Sequence, residues 1–453
     1  MNKLLLKGVA AAFCMATMFG TTACGDDDDL VNVEPPVEET QDVILEGEIT
    51  SDMTLKAADN NLLRGFVDVT DGVTLTIEPG TVIKGEKSSK GSLIVERGGK
   101  LIAEGTAEKP IVFTSDQPKA SRTYGDWGGL ILCGKSIVNN TAGEAQIEGG
   151  PRSYYGGKDP EDNSGIVKYV RIEFAGYPLE PNKEINGLTC GGVGRGTTIE
   201  YVQVSFCGDD SFEWFGGTVN AKHLIAYKGW DDEFDTDYGF QGKLQFLLGV
   251  RDPKHADTSK SNGFESDNDA DGSNNTPLTT PVFSNVTLIG PFYGESAGKT
   301  ENDIFYVTED AANGAKGGSF QAAMHIRRNS SLNVYNSIFV GWPYGLYLQN
   351  ANVGAVVKNV IFAGMWENFK DKTSQNYFQT ADLSNLTYAS SNDIIAKDGD
   401  YTSIVADKID GADFSDTALN DAFFEKVSYK GAFDGKNDWA ANWTNFDPNN
   451  TEY

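Results

Sequence analysis

The sequence predicts an all-β chain wound as a right-handed parallel β-helix, a solenoid closed by a C-terminal cap. Three observations carry this expectation. Short apolar strands recur every ~18–22 residues, separated by Gly, Asn and Asp turns. No stretch between residues 43 and 364 keeps a long helical period. Similar residues return at the same point of successive repeats, as stacked rungs require; a β-sandwich, the main structural rival, has no such ladder. The 51 glycines among 453 residues suit a chain of many tight turns. The formal charge of −28 excludes nucleic acid and anionic surfaces as direct partners.

The elements follow in chain order. Residues 1–23 read as a secretory leader: Lys3 and Lys7, then the apolar run Val9–Phe19, then small residues up to Cys24. No other apolar run approaches the length of a membrane span. Residues 24–42 read as a tether, beginning with Asp26-Asp27-Asp28-Asp29 and continuing through Pro35-Pro36. The solenoid is expected over 43–364. Leu75-Thr76-Ile77-Glu78-Pro79-Gly80 realigns with Leu93-Ile94-Val95-Glu96-Arg97-Gly98, 18 residues later. A polar excursion, Pro291–Ser319, has the length of a lid. Residues 365–453 are expected to cap the open bottom, with a short helix over Asp416–Val427 capped by Asp416 and an aromatic-rich end around Trp443.

Cys133, Cys190 and Cys207 are odd in number and have no metal-ligand spacing. Cys190 and Cys207 lie about one repeat apart, so they either pair on adjacent turns or remain buried thiols.

The stretch Asp209–Asp271 carries three acidic copies of one strand: Phe212-Glu213-Trp214-Phe215, Phe234-Asp235-Thr236-Asp237 and Phe264-Glu265-Ser266-Asp267. The first two are 22 residues apart and the third is 30 further on. Alternation turns Phe212, Phe234 and Phe264 inward with Trp214, Thr236 and Ser266. Glu213, Asp235, Asp237, Glu265 and Asp267 then share the outer face. A later strand, Met324–Arg328, falls in the same column, with His325 and Arg327 outward. Carboxylates on adjacent rungs stand about 4.8 Å apart and repel by ~3–4 kcal/mol per pair at an effective dielectric near ~20. Protonation or a cation must relieve a partly buried row of them. Calcium, which takes six to eight hard oxygens, is the expected ion, with Asp235, Asp237, Glu265, Asp267 and Glu213 as ligands. The alternatives are a solvated acidic face and a carboxylate pair used in acid–base chemistry. Phe215, Trp230, Tyr238, Phe240, Trp342 and Tyr344 border the face and offer rings for sugar stacking.

Several marks together resemble a family of β-helix cell-envelope lipoproteins of Bacteroidota. They are Gly125-Asp126-Trp127-Gly128-Gly129, Asp209 to Gly217, Ser261–Asp269 and the closing Trp443–Pro448. Thr21-Thr22-Ala23-Cys24 resembles a lipobox lacking its usual Leu, which implies cleavage before Cys24 and lipidation of it. The acidic run after Cys24 resembles a surface-export signal. Some relatives resemble secreted proteins with an added C-terminal sorting domain; with none here, the lipid is expected to do the anchoring. The resemblance implies fold and an outer-membrane, surface location, not a reaction. Gly208-Asp209-Asp210 is similar to the paired aspartates of β-helix polygalacturonases, but the other motifs of that family have no counterpart. His-Glu-x-x-His, Gly-x-Ser-x-Gly and phosphate-loop motifs are lacking.

Three functions fit. The first is a surface-exposed, lipid-anchored protein binding glycan or extracellular matrix on a calcium-loaded face. The second is a calcium-dependent polysaccharide lyase, in which Arg327 or His325 removes the proton. The third is a structural or adhesive stalk.

Overall fold

The computed structural model describes residues 40–180, 183–291, 318–350, 354–380, 387–389 and 409–453. The leader, Cys24, most of the tether, and the excursion from 292 to 317 lie outside the described residues.

The chain is a right-handed parallel β-helix. Among the described residues, 26 strands join in one continuous ladder. Right-handed winding is the way L-residue strands reconnect to parallel neighbours. The ladder has three faces. The first stacks Thr74–Ile77, Lys100–Glu104 and the opening halves of Gly165–Glu173, Thr198–Ser205, Asn220–Tyr227, Lys243–Val250 and Val282–Ile289. The closing halves of those long strands form the second face, continued by Ile338–Val340 and Ile361–Ala363. The third stacks Ser92–Val95, Leu130–Cys133, Leu188–Gly191, Phe212–Phe215, Phe234–Asp237, Phe264–Ser266, Ala322–Arg327 and Tyr344–Gln349.

One residue turns each long strand from the first face to the second, and it does so with positive φ. Tyr169, Tyr201, His223, Phe246, Asn285, Asn336 and Asn359 occupy this column at φ between 50° and 62°. A left-handed non-glycine residue costs ~1–2 kcal/mol. Stacking offsets that cost in the upper rungs: ring centroids lie 4.4 Å apart for Tyr169–Tyr201, 4.2 Å for Tyr201–His223 and 5.2 Å for His223–Phe246. Side-chain amides take over below, where Asn359 Nδ2 donates to Asn336 Oδ1 at 2.7 Å.

The inward and outward assignment of the acidic strands holds. Phe212, Phe234 and Phe264 are fully buried, and their ring centroids are 5.6 Å apart on successive rungs. Trp214, Thr236 and Ser266 are buried beside them, and Thr236 Oγ1 lies 2.8 Å from Ser266 Oγ. Cys133, Cys190 and Cys207 are free, buried thiols, so the pairing of Cys190 with Cys207 is not realised.

Two expectations about the C-terminal part need correction. The ladder runs past residue 364, through Glu367–Phe369 and Thr387–Ala389. Residues 409–453 do not close the bottom; they climb back along the side of the solenoid. Gly431 N donates to Asn336 O, Glu425 N to Gln245 Oε1, Asn445 N to Gln203 Oε1, and Lys84 Nζ to Tyr453 O. Trp439 and Trp443 pack edge-on against the Tyr201 ring. The corner column presents flat aromatic faces, and the segment lays Trp439 and Trp443 against them. The helix expected over Asp416–Val427 shrinks to a single turn, Thr417–Leu419, although Asp416 does cap it by accepting from Ala418 N.

Candidate functional site

The third face sets the register of the site. Glu213, Asp235, Glu265, His325 and Tyr347 pair in order down one outward row, and Phe215 pairs with Asp237. Parallel pairing at constant offset puts each carboxylate over the next, as the spacing of the three copies requires.

A second acidic row lies in the turn that leads into each strand, and sequence reasoning missed it. Asp210 Oδ1 accepts from Asp232 N at 2.8 Å, the Asp232 carboxylate accepts from Asn262 N, and Asn262 Oδ1 accepts from Ala322 N at 3.2 Å. Each side chain satisfies a backbone N–H of the rung below. Asn186 occupies the same place one rung above Asp210, since Leu188 pairs with Phe212. The ladder therefore reads Asn, Asp, Asp, Asn. The signal was present in the sequence: Asp209-Asp210 and Asp231-Asp232 repeat the 22-residue spacing of the strands.

The two rows converge. Three groups of carboxylates bring one oxygen from each member within 4.8 Å of one another: Asp209, Asp210 and Asp231; Asp210, Glu213 and Asp235; Asp232, Asp235 and Glu265. Asp210 and Asp235 are each shared by two groups. Burial, then the neighbouring carboxylates, push Asp210, Glu213, Asp232 and Asp235 well above the usual carboxylate range. Asp231 is pushed up to about 8 by burial and by Asp257. Side-chain exposure agrees with this: Asp210, Glu213 and Asp232 are only 8, 6 and 4% exposed. Asp235 Oδ1 and Asn186 Oδ1 are buried with no hydrogen-bond partner, and the Asn186 amide touches Glu213 through its nitrogen. Converging hard oxygens, some lacking a donor, make a set that could hold a hard metal ion such as calcium. The residues present therefore fit the ion.

Among the five expected metal ligands, Glu213, Asp235 and Glu265 are brought together. Asp237 and Asp267 fall outside the three groups and meet other partners. Asp237 accepts from Tyr238 N at 2.6 Å, while Asp267 accepts from Arg327 Nε and Arg328 Nη1, both at 2.8 Å. Cationic side chains thus gather at the lower end of the row, where Arg327 pairs with both Glu265 and Asp267 and His325 meets Glu265.

That pairing also removes the lyase roles expected of Arg327 and His325. Burial would lower the pKa of Arg327, but ion pairs with Glu265 and Asp267 outweigh it and raise it above even the ordinary arginine value. A guanidinium so held is no base. His325 is buried, stacked 4.7 Å from Tyr347, and held between Glu265 and Gln349 Oε1.

The aromatic expectation fails for a similar reason. Trp230 and Trp342 are 2% and 0% exposed, and Phe240 is in the core. Phe215 and Tyr344 are also buried. Rings that stack along the solenoid present no face to a sugar. Only Tyr238 keeps partial exposure, at the edge of Phe215. Tyr155, from the hairpin Ala145–Gln146 and Tyr154–Tyr155, covers the other face of Phe215 at 5.8 Å.

Opposite the hairpin, the insert Asp252–Ser261 packs on the acidic turn. Arg251, fully buried, donates to the carbonyls of Gly229, Trp230, Asp231 and Asn262 and pairs with buried Glu233 at 2.8 Å. One guanidinium thereby fixes the turn that carries Asp231 and Asp232. Burial pushes Glu233 up to about 7 despite Arg251.

A family model described as a pectate-lyase-like beta helix domain matches residues 47–444 of this chain. No curated protein and no solved structure matches it.

Proposed function

We infer the function from two premises. The chain belongs to the pectate-lyase-like β-helix family, and its turn ladder carries aspartate where asparagine does the same structural work. Asn262 caps the next rung as Asp210 and Asp232 do. The charge at 210 and 232 is therefore not needed for the ladder, and in a buried place it is costly. That single contrast carries the proposal: the two central rungs bind calcium, through Asp210, Glu213 and Asp235, and through Asp232, Asp235 and Glu265. A polysaccharide or matrix ligand is held against this calcium-loaded face. An ion on the ladder also reverses the local field, which lets an acidic glycan approach a chain of net charge −28.

The reading places this face at the cell surface. The leader, Cys24 and the following aspartates support an outer-membrane lipoprotein that is lipid-anchored through Cys24. Cys24→Ala is expected to release the protein from membranes; a variant that still fractionates with the outer membrane would refute the anchor.

Calcium itself is tested by melting curves. A cation that binds only the folded state stabilises by RT ln(1 + [L]/Kd), about 2.7 kcal/mol at a hundredfold excess over Kd. Calcium should raise Tm, chelation should lower it, and magnesium should do less because it demands a tighter octahedral shell. Asp210→Asn with Asp232→Asn should keep the caps, remove the calcium response and raise the metal-free Tm. A calcium response that survives the double substitution would sink the assignment.

A further inference from the structure

The corner column joins the first face to the second, and one of its side chains titrates near neutrality. Tyr169, Tyr201, His223, Phe246, Asn285, Asn336 and Asn359 share the same left-handed turn. Of these residue types only histidine ordinarily changes charge between pH ~5 and ~8. The His223 ring lies flat between its neighbours, 4.2 Å from Tyr201 at 8° and 5.2 Å from Phe246 at 16°. From the segment 409–453, Trp439 meets it at 5.0 Å, tilted by 62°. His223 Nδ1 is buried, and among the described residues it has no hydrogen-bond partner. Trp439 is itself held fast: its indole N–H donates to Ala432 O at 2.7 Å, and its ring stacks on Phe433 at 4.9 Å. A charge on His223 therefore bears directly on the middle of that segment.

The charged groups around the ring are already matched with one another. Lys222, on the strand of His223, pairs with Glu425 of the segment at 2.7 Å. Lys168 and Glu200, from the two rungs above, pair at 3.3 Å, and Lys243, from the rung below, pairs with Asp421 of the segment at 2.8 Å. Tyr169 and Tyr201 complete the ionisable groups on the upper side. A proton on Nδ1 would make a buried donor with no acceptor, which is costly. Ring faces do attract a cation, but here burial wins. It lowers the imidazole to about 4, with Glu425 pulling upward and Lys222 and Lys168 adding to the lowering.

We propose that His223 is an acid-sensitive latch: its protonation in mild acid loosens the docking of residues 409–453 on the corner column while the rungs beneath stay folded. Lifting the segment opens Nδ1 to water and returns the imidazole toward its ordinary value near ~6.5. The docked state, with its lowered value, then binds fewer protons than the undocked state between about 4 and ~6.5. Docking is fully present above ~6.5 and is lost as pH falls toward about 4. The metal-free carboxylate ladder moves the other way. Its raised carboxylates make the rungs more stable as pH falls, and one imidazole does not reverse their combined effect. The two opposed trends separate the segment from the rungs, so acid releases the segment without unfolding the solenoid. Release bares the stacked rings of Tyr169, Tyr201, His223 and Phe246 as one apolar stripe.

The test follows hydrogen exchange by mass spectrometry on the full chain in chelator, at pH ~7 and pH ~5. Wild type and His223→Phe are compared at the same pH, so intrinsic exchange rates cancel. Phenylalanine already serves at position 246, so the variant keeps the stack and loses the charge. The two proteins should match at pH ~7. At pH ~5 the wild-type segment 409–453 should exchange roughly tenfold or more faster than the variant's, while the strands of the third face exchange alike in both. His223→Asn, with the residue found at 285, 336 and 359, should also hold its segment in acid. Equal exchange of the segment in wild type and His223→Phe at pH ~5 overturns the proposal. So does a loss of protection shared evenly by the segment and the rungs, which would be global unfolding. Wild type alone decides the matter if a variant fails to fold. Corrected for intrinsic rates, its segment should lose protection between pH ~7 and ~5, and protection that holds or rises sinks the latch.

Discussion

Single residues decide the electrostatics of this molecule, and pH exposes them. Asp210, Glu213, Asp232 and Asp235 are raised by burial and by one another, and Asp231 reaches about 8. The unfolded chain releases these protons near pH ~4. The folded, metal-free chain keeps them to higher pH, so it binds more protons than the unfolded chain between those limits. Stability must then fall as pH rises from about 4 toward about 8. Asp252, held at about 2, works the other way only below the unfolded carboxylate range and does not mask the trend. In chelator, Tm should therefore drop between pH ~5 and ~8. Calcium should flatten the slope, because the ion competes with the protons, and Asp210→Asn with Asp232→Asn should flatten it without calcium. A chelated protein whose Tm rises over that range would show that these carboxylates are compensated in another way.

Strands and turns differ in how plainly they could be read. The 22-residue spacing of Phe212 and Phe234 gave the column, its register and its inward face, because period-two alternation allows only one solution once three copies agree. Turn residues obey no such period. Asp210 and Asp232 act through backbone N–H groups of the next rung, a contact visible only when rungs are stacked. Trp230 and Trp342 were misjudged for the same reason: aromatic rings in a turn look exposed until the next rung covers them. Arg251 is the clearest case of an element held by a residue outside it. Arg251→Met would strand Glu233 in the core and release the carbonyls of Gly229, Trp230, Asp231 and Asn262. A loss of ~3–5 kcal/mol is expected in chemical denaturation, with calcium affinity falling too. Adding Glu233→Leu should recover part of the stability but not the affinity, since the turn stays loose. Recovery of both would mean that Arg251 matters to the turn only as a counter-charge.

At the scale of the whole molecule, the segment 409–453 changes how the solenoid should unfold. Stacked repeats touch only their neighbours, so a long β-helix can melt in pieces from either end. Here one segment touches rungs far apart in sequence. It meets Asn336 through Gly431 N and Asn285 through Tyr429 O. It meets Gln203 through Asn445, and its end receives Arg122 at Pro448 O and Lys84 at Tyr453 O. Glu173, buried on the second face, accepts from the Tyr453 hydroxyl at 2.7 Å. Such a strap makes the stability of the upper rungs depend on that of the lower ones. Trp443 is its firmest point, buried against Tyr169 and Tyr201 with its indole N–H donated to Trp439 O. Trp443→Ala removes about 3–5 kcal/mol of packing by the usual large-to-small cost. If the strap couples the rungs, the loss should split one calorimetric transition into two, the upper rungs melting first. A single transition that merely moves to lower temperature would show that rung-to-rung stacking alone makes the β-helix cooperative.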